Sequence, residues 1–511
     1  MLKRSRALAS AAVVALATGL GAPAWAETLQ EAIALAYQTN PSLLAQRANQ
    51  RALDETVAQA RSGLRPTISA SAGVDYTRSD FPKTSQFVDT DGDGVPDTQI
   101  TSSSSESDSG NIGVSLSQNL WTAGRTSLAI DQARASVLAG RENLRDIEQS
   151  IMLSVIQAYV NVTRDMEILR IRQENLAVLQ RQLEETSARF EVGEITRTDV
   201  AQAEASLAQS EADLANAQAQ LSTSRAAYAA VVGQAPADLE AAPALPVAPA
   251  DFDAAIDVAL VRNPGVLAAA YNQQGAEAAV ASARAEYLPS VRATASYGGA
   301  TTDLGNLDEL ADRRSFSAGA TLSVPLFTGG LNRSRVAQAL EQANAAQIAV
   351  EGERRSVLQD VSTAYAQVLS TRSNVLAGEE AVRAASVAAE GVRQEAQVGL
   401  RTTLDVLQQE VTLRSTQTSL ATARAAEYVA RASLLAAMGQ LEGPSLNPTL
   451  EAYDPADNYN RVQGRGGLPW DGVIEALDRV ASPPIVDADD APDAPIDSQL
   501  KSEVVQTAPQ S

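Results

Sequence analysis

RFEVGEITRTDV at residues 189–200 is matched by EAQVGLRTTLDV at residues 395–406. In both stretches a Val-Gly pair is followed by Thr and then by Asp-Val at the same intervals. The spacing of 206 residues between the two copies holds without a gap from Gly113 and Gly319 to Gly233 and Gly439. A unit of roughly 200 residues is too long for a solenoid repeat, so each unit is predicted to be a complete structural half.

The first copy carries an insertion. The copies match again upstream, at Asn40-Pro41 and Asn263-Pro264, but 17 extra residues lie between Pro66 and Gly113. The insertion has aspartates alternating before a glycine, as in the first half of a calcium loop. These candidate metal ligands are Asp89, Asp91, Asp93 and Asp97. Ile100 stands where such a loop needs a bidentate Glu, so a solvated, Ser-rich surface loop is the alternative.

The composition excludes several classes of protein. The chain has no His and no Cys, so it lacks the usual general base, the soft metal ligands, thiol nucleophiles and a lipid-bearing Cys. A hydrolase that uses only carboxylates is therefore a distant alternative, and the chain is not expected to be an enzyme. The formal net charge of −22 argues against nucleic-acid binding, which needs cationic side chains to neutralise phosphates.

The amino-terminal segment reads as a secretory signal peptide. Three basic residues precede an apolar run from Ala7 to Leu20, and Ala24-Trp25-Ala26 fits a cleavage site. The run is shorter than the roughly 20 residues that a membrane-spanning helix needs. The mature protein is expected to begin near Glu27 and to lie beyond the inner membrane. No other apolar run reaches spanning length, so membrane insertion would have to use strands.

Each half shows a pair of strands. Apolar and small polar residues alternate with period two from Ile68 to Tyr76 and from Ile112 to Leu120. The second half has the same pattern from Val291 to Tyr297 and from Phe316 to Leu326. This pattern is typical of membrane barrel strands, although a half-buried soluble sheet has the same period. Four strands cannot close a barrel, and open edges are not tolerated in lipid. Other subunits are therefore expected to complete the sheet.

Two very long helical segments follow the strands in each half. No Pro occurs from Gly124 to Phe190 or from Gly330 to Gln397, and apolar residues recur every seven positions. Such heptads favour coiled-coil packing, with each Val-Gly pair as the reversal of an antiparallel hairpin. The heptad stripes are Val162, Leu169, Leu176, Leu183 and Phe190, then Val200, Leu207, Leu214, Leu221 and Tyr228. A secreted trimeric adhesin or a structural stalk would share these helices. Only the strands distinguish a membrane-barrel protein from these alternatives.

Taken together, these residues resemble the TolC family of outer-membrane export ducts. The resemblance covers about residues 28–440 in both halves. Its motifs are Leu29, Ala32-Ile33, Ala36, Asn40-Pro41, Leu120-Trp121-Thr122 with Gly124, Arg189-Phe190, Val192-Gly193, Thr198 and Asp199-Val200. The family implies an α+β membrane protein, a trimer whose 12-stranded transmembrane β-barrel, four strands per subunit, continues into a long α-helical coiled-coil barrel.

The resemblance also implies a function and partners. It implies the passive exit duct of a tripartite efflux or type I secretion system, gated at its periplasmic end and located in the outer membrane. The partners would be a periplasmic adaptor protein and an inner-membrane transporter. No cofactor is expected apart from the possible Ca²⁺ at the Asp-rich loop.

The resemblance assigns roles to residues near the hairpin reversals. Asp199 and Arg401 would form a latch, and Asp405 would belong to an entrance ring of aspartates. Gln408 and Ala396 depart from the family pattern, since they stand where the family has a second ring Asp and a latch Tyr. The adaptor-contact tips would be Val192, Gly193, Val398 and Gly399; as bare helix reversals these pairs would look the same.

The predicted organisation has nine parts. They are a signal peptide (1–26), a helical segment of repeat 1 (27–64), β-barrel hairpin 1 with an Asp-rich external loop (65–123), a long helical hairpin (124–234), an Ala/Pro linker (235–250), a helical segment of repeat 2 (251–288), β-barrel hairpin 2 (289–329), a second long helical hairpin (330–440) and a partly disordered periplasmic tail (441–511).

Overall fold

The computed structural model describes residues 27–89, 94, 95, 98–249 and 251–486. Both halves of the chain have the same order of elements. The first half contains α1 (Leu29–Thr39), α2 (Pro41–Ser62), β1 (Thr67–Val88), β2 (Thr98–Trp121), α3 (Arg125–Glu191) and α4 (Arg197–Val232). The second contains α5 (Phe252–Arg262), α6 (Pro264–Ala285), β3 (Ser290–Thr301), the short α7 (Glu309–Asp312), β4 (Arg314–Ser323), α8 (Leu331–Gln397) and α9 (Thr403–Ala437). The predicted signal peptide lies outside the described residues.

The repeated Asn-Pro pairs start a helix and fix it to the rest of the same half. The side-chain oxygen of Asn40 accepts from the amide of Ser42 at 3.0 Å, and its amide group donates to the carbonyl of Val231 at 3.0 Å. Asn263 does the same with Gly265 at 2.8 Å and Ala437 at 3.0 Å. An N-cap Asn before Pro at the first helical position suits both residues, because Pro lacks the N–H that would go unpaired there.

The four strands form one antiparallel sheet in the order β1-β2-β3-β4. The register places apolar side chains in rows on one face, for example Ala70, Val114, Tyr297 and Phe316. The next row on the other face is Ser69, Ser115, Ser296 and Ser317, in which both outer pairs are joined by 2.8 Å hydroxyl hydrogen bonds. The large side chains of the apolar face are mostly exposed in a single chain, including those of Ile68, Val74, Ile112 and Phe316.

The first strand pair is much longer than the second. Strands β1 and β2 have 22 and 24 residues, whereas β3 and β4 have 12 and 10. The β1–β2 pairing continues beyond a register shift between Asp80 and Thr84 as far as Val88 opposite Thr98. The insertion in the first copy therefore lengthens a two-stranded ribbon beyond the end of β3 and β4.

The helices below the sheet follow the order of the strands. Helix α2 packs on α3, α3 on α6, and α6 on α8, so the helices that adjoin β1, β2, β3 and β4 are neighbours in the same sequence. Helices α3 and α8 each have 67 residues, which corresponds to roughly 100 Å at 1.5 Å per residue. Each forms an antiparallel hairpin with the helix that follows it, α4 or α9. The predicted four strands and long helical hairpins per chain are confirmed.

Small residues form a buried row on α4, which the predicted heptads did not identify. In α4 the buried row with a spacing of seven is Ala203, Ser210, Ala217 and Ser224, while Leu207 and Leu214 of the predicted stripe are only half-buried. The amide of Asn175 in α3 donates to the hydroxyl of Ser210 at 3.1 Å, and the hydroxyl of Ser224 donates to the carboxylate of Asp165. Small side chains let the two helices approach, and buried polar groups then pair across the contact.

The main hydrophobic core lies midway along the helices, where α1 and α5 pack against α3, α4, α8 and α9. Its centre is built around Glu27. The hydroxyl of Tyr228 donates to the Glu27 carboxylate at 2.6 Å, and that of Tyr159 donates to the carbonyl oxygens of Glu27 at 2.9 Å and Glu240 at 2.8 Å. Burial raises the pKa of both tyrosines, and the nearby Glu27 carboxylate adds to the effect at each.

The first part of the region predicted as a partly disordered tail is folded and partly helical. Residues 441–486, here called the C-terminal strap, contain the short helices α10 (Gly443–Leu446), α11 (Pro455–Val462) and α12 (Asp471–Asp478). Proline occupies the first turn of α10 and α11, where it starts a helix rather than preventing one. The strap runs along α2 towards the sheet, with Asn458 bonded to Asp54 at 2.8 Å and Arg65 paired with Asp471 at 2.8 Å. Residues 487–511 lie outside the described part of the chain.

Candidate functional site at the helical hairpin tips

Both long hairpins reverse through the same backbone motif. The amide of Gly193 donates to the carbonyl of Phe190 at 2.9 Å, and the amide of Glu194 donates to that of Arg189 at 2.9 Å. Gly399 and Leu400 make the equivalent bonds, at 3.1 and 2.9 Å, to Ala396 and Glu395. This is the Schellman termination, which needs a positive φ at the glycine, and φ is 78° at both positions. The Val-Gly pairs thus have a structural reason to recur.

The repeated aspartates Asp199 and Asp405 complete capping boxes at the start of α4 and α9. The Asp199 carboxylate accepts from the amide and the hydroxyl of Thr196 at 2.9 and 2.7 Å. The Asp405 carboxylate accepts from the same groups of Thr402 at 3.0 and 2.9 Å. These hydrogen bonds lower the pKa of both carboxyl groups. Each aspartate stays ionised at neutral pH, as a latch or an entrance ring requires.

The predicted latch residues do not meet within one chain. Among the described residues, Arg401 forms its ion pair with Glu395 at 2.8 Å, and the hydrogen bonds of the Asp199 carboxylate go to Thr196. At the other tip Arg189 pairs with Glu194 at 2.9 Å. Each helix reversal therefore has an ion pair of its own, between residues on its two sides. The charges are reversed between the halves, since Arg189 and Glu395 occupy equivalent positions.

A partly buried ionic network above the second tip was missed by the sequence reasoning. Glu410 of α9 is buried and pairs with Arg393 of α8, and it lies 3.7 Å from Arg414. Arg414 also reaches Glu174 of α3 at 3.8 Å. This series of ionic contacts, Arg393–Glu410–Arg414–Glu174, connects the second hairpin to the first. The i,i+4 spacing of Glu410 and Arg414 was a visible signal, but only the fold brings Glu174 to them.

The tips also expose apolar side chains. Val192 is 79% and Val398 70% exposed, and Phe190, Leu400 and Leu404 are exposed nearby. Each reversal has only five residues between its helices, 192–196 and 398–402, and so short a loop at the end of a hairpin cannot bury such groups against its own helices. Gly193 and Gly399 beside them have open space where a side chain would lie. These apolar tips are suited to contact another protein.

The Asp-rich loop is only partly described. Asp89 accepts a hydrogen bond from the amide of Gly94 at 2.7 Å, whereas Asp91, Asp93 and Asp97 lie outside the described residues. Within residues 27–89, 94, 95, 98–249 and 251–486, no cluster of His, Cys, Asp and Glu is arranged to hold a metal ion. Calcium binding at this loop stays a prediction. Across the same described residues, no helix combines the length and the apolar character that crossing a membrane would need.

Comparisons with known proteins agree on one family. A family model described as "Outer membrane efflux protein" matches residues 32–234 and 255–440. The outer membrane efflux protein BepC of Brucella suis biovar 1 is 34% identical over 474 residues, which is 93% of this chain and 98% of BepC. The outer membrane protein TolC of Vibrio cholerae serotype O1 is 30% identical over 430 residues, 83% of this chain and 93% of that protein. The open-state crystal structure of the Neisseria gonorrhoeae MtrE outer membrane channel is 25% identical, with a TM-score of 0.66, and the match covers 81% of this chain and 89% of MtrE.

Proposed function

This chain belongs to the outer membrane efflux protein family, and from the geometry of its sheet edges and hairpin tips we propose how it assembles, docks and is gated. It is the outer-membrane channel of a tripartite efflux or type I secretion system, a passive duct rather than an enzyme, with a large periplasmic tunnel. The family match over both halves disfavours the alternative of a secreted adhesin or structural stalk.

The observation that carries the proposed assembly is a pair of matching free edges. Among the described residues, β1 and β4 each lack a partner on their outer side, and α2 and α8 end the helical layer at the same two edges. A copy of the chain that pairs its β1 with β4 of a neighbour would also bring α2 against α8. Lipid does not tolerate open strand edges, and three copies give 12 strands, enough for a channel. We therefore propose a homotrimer.

The proposed partners bind at the tips. The exposed apolar reversals are formed by Val192, Gly193, Val398 and Gly399. They are suited to contact a periplasmic adaptor protein, which would link the channel to an inner-membrane transporter. Three copies would present six such tips. The apolar residues would contribute contact area, while the ion pairs Arg189–Glu194 and Glu395–Arg401 hold each tip in shape.

The proposed gate has two components. Within one chain, the contact of Arg414 with Glu174 resists movement of the second hairpin away from the first. Between neighbouring copies, Arg401 would exchange Glu395 for Asp199 of the adjacent chain, which keeps the latch predicted for these two residues. Asp405 of each copy would form the entrance ring. An adaptor that grips the tips would separate these charges and open the duct.

The experiment that tests this function is single-channel recording of the purified full-length mature protein in planar lipid, combined with its native mass. A trimer with a small conductance that rises when the tip charges are removed supports the proposal. A monomer, or a trimer that does not conduct under any condition, contradicts it.

A further inference from the structure

One helix of the C-terminal strap has an apolar stripe that the rest of the described chain leaves open. Val473 and Leu477 lie within α12, and Trp470 and Val480 lie just beyond its two ends, so the four residues are spaced by three, four and three. Their side chains are 48% (Trp470), 70% (Val473), 45% (Leu477) and 58% (Val480) exposed. With 3.6 residues per turn, this spacing produces a continuous stripe. Four large apolar side chains aligned along a short helix and its two ends need a partner.

The rest of α12 fixes the helix firmly to the base of the sheet. Ile474 packs into a small core between α2 and α3 that includes Val57, Leu64 and Ile130. Asp478 is 0% exposed, and its carboxylate accepts from the amide and the hydroxyl of Thr122, at 2.6 and 2.7 Å, where β2 ends. Its second oxygen accepts from the amide and hydroxyl of Ser127 at 3.1 and 2.8 Å. The orientation of α12 is thereby set.

The charged side of α12 points away from the sheet. Arg479 pairs with Asp131 of α3 through two 3.1 Å hydrogen bonds, and Glu475 lies 3.9 Å from Arg134. Because α3 starts at Arg125, Asp131 and Arg134 lie roughly 9 and 14 Å further along the helix from the strands. On the helical wheel, Glu475 and Arg479 fall on one flank of the buried face, and the apolar stripe falls on the other. The stripe therefore faces the sheet.

The helix also lies on the apolar side of that sheet. Trp121 is opposite Val291 in the register, and Val291 belongs to the same face as Ala293, Ala295 and Tyr297. The indole N–H of Trp121 donates to the carbonyl oxygen of Val480 at 2.9 Å. The apolar stripe of the strap therefore adjoins the periplasmic end of the apolar sheet face, which is the face expected to contact lipid. Within the part of the chain that the structure describes, no equivalent helix lies at the second strand–helix joint, since the strap passes only the first.

We propose that α12 is a membrane-interface helix, which rests on the periplasmic leaflet of the outer membrane with Trp470, Val473, Leu477 and Val480 in contact with lipid. A helix with an apolar flank towards the membrane and an ion-paired flank towards water suits the interfacial plane, and Trp is enriched at that level. The chain has no Cys to carry a lipid anchor. Three straps in a trimer would fix the depth of the channel in the membrane.

The test uses the absence of cysteine from the natural chain. Val473→Cys and, separately, Leu477→Cys are made in the full-length mature protein and labelled with a nitroxide. The matched control is Gly472→Cys, one residue away on the charged flank, where a Cβ would meet open space. The proteins are reconstituted into phosphatidylethanolamine/phosphatidylglycerol vesicles. Collision of each label with oxygen, which concentrates in lipid, is compared with collision with a water-soluble nickel chelate.

Labels at residues 473 and 477 are expected to collide more with oxygen than with nickel, and the label at residue 472 is expected to show the reverse. The proposal is overturned if the stripe labels behave like the control, because the stripe would then face water. It is also overturned if the stripe labels are shielded from both reagents, because a neighbouring copy of the chain would then cover the stripe.

Discussion

Asp478 caps the amino end of α3 from a position 351 residues away in the chain, with its carboxylate 3.1 Å from the amide nitrogen of Ser127. The N-cap residue of this helix, Gly124 with a φ of 85°, has no side chain to act as a cap, and the Thr122 hydroxyl accepts from the amide of Thr126 at 3.1 Å. A side chain at residue 124 would also collide with Ser482, whose hydroxyl lies 2.1 Å from the ideal Cβ position. The strap therefore supplies the acceptor for the amide of Ser127 from a distant part of the chain.

Asp478→Ala is expected to destabilise the protein by about 1–3 kcal/mol, because it leaves the buried amides of Thr122 and Ser127 without an acceptor. The measurement is thermal loss of helical circular dichroism in detergent. Asp471→Ala is the matched control, since it removes a partly exposed ion pair from the same helix and should cost about 0.2–1 kcal/mol. Equal unfolding temperatures for the two variants would show that Asp478 is not a cap.

Arg414→Ala is expected to raise the open fraction of the channel. It removes the link from α9 to Glu174 of α3, and a partly exposed pair is worth about 0.2–1 kcal/mol. Three such links in a trimer correspond to about a threefold or larger change in the open fraction. Single-channel recording checks this. Arg383→Ala is the control because its pair with Glu380 lies within α8. A similar rise in both variants would contradict a specific link between hairpins.

Asp199→Ala and Arg401→Ala are each expected to increase conductance, and the double variant is expected to add little, if these residues latch neighbouring copies. Thr196→Ala separates this role from helix capping, because it removes the hydroxyl partner of Asp199 and keeps the charge. Thr196→Ala should therefore conduct like the parent in planar lipid. If it opens the channel as much as Asp199→Ala does, the aspartate acts through the cap rather than through a latch.

The tips are expected to loosen in acid. The pKa of Asp199 and of Asp405 is lowered in the folded state by hydrogen bonds from Thr196 and Thr402. A depressed pKa stabilises the fold above the unfolded value of about 3.9, and this contribution is lost as pH falls through the folded value. Amide hydrogen exchange of peptides from both tips, corrected for intrinsic rates, should be faster at pH 3 than at pH 6. Unchanged protection would mean that the carboxylates do not stabilise the caps.

Replacing residues 89–97 by Asn-Gly is expected to leave trimer yield and conductance unchanged. Val88 and Thr98 are already paired, so a two-residue turn can join them. If the aspartates bind calcium, titration calorimetry should detect Ca²⁺ binding to the parent and none to the shortened protein. Loss of the trimer on shortening would show that the loop is needed for assembly, and equal binding by both would place calcium elsewhere.

The strands and long helices could be predicted because their signals are local. Alternation from Ile68 to Tyr76 and the Pro-free run after Gly124 specify local conformation whatever the rest of the chain does. The cap from Asp478 and the link from Arg414 to Glu174 could not be predicted in this way, because each joins elements hundreds of residues apart in the chain. A short helix such as α12 is too weak in isolation to be recognised, since tertiary contacts supply most of its stability.

The equal length of α3 and α8, 67 residues each, works as a molecular ruler. The two halves differ in sequence at many positions, but their long helices have kept the same length. A change of length in the hairpin of only one half would displace every second tip of an assembled ring. A single added heptad would lower three of six tips by roughly 10 Å and leave a docking partner facing a staggered rim. Insertions in these helices are therefore tolerable only when they occur in pairs. The strand ribbon at the opposite end has no such constraint, and it is there that the halves differ in length.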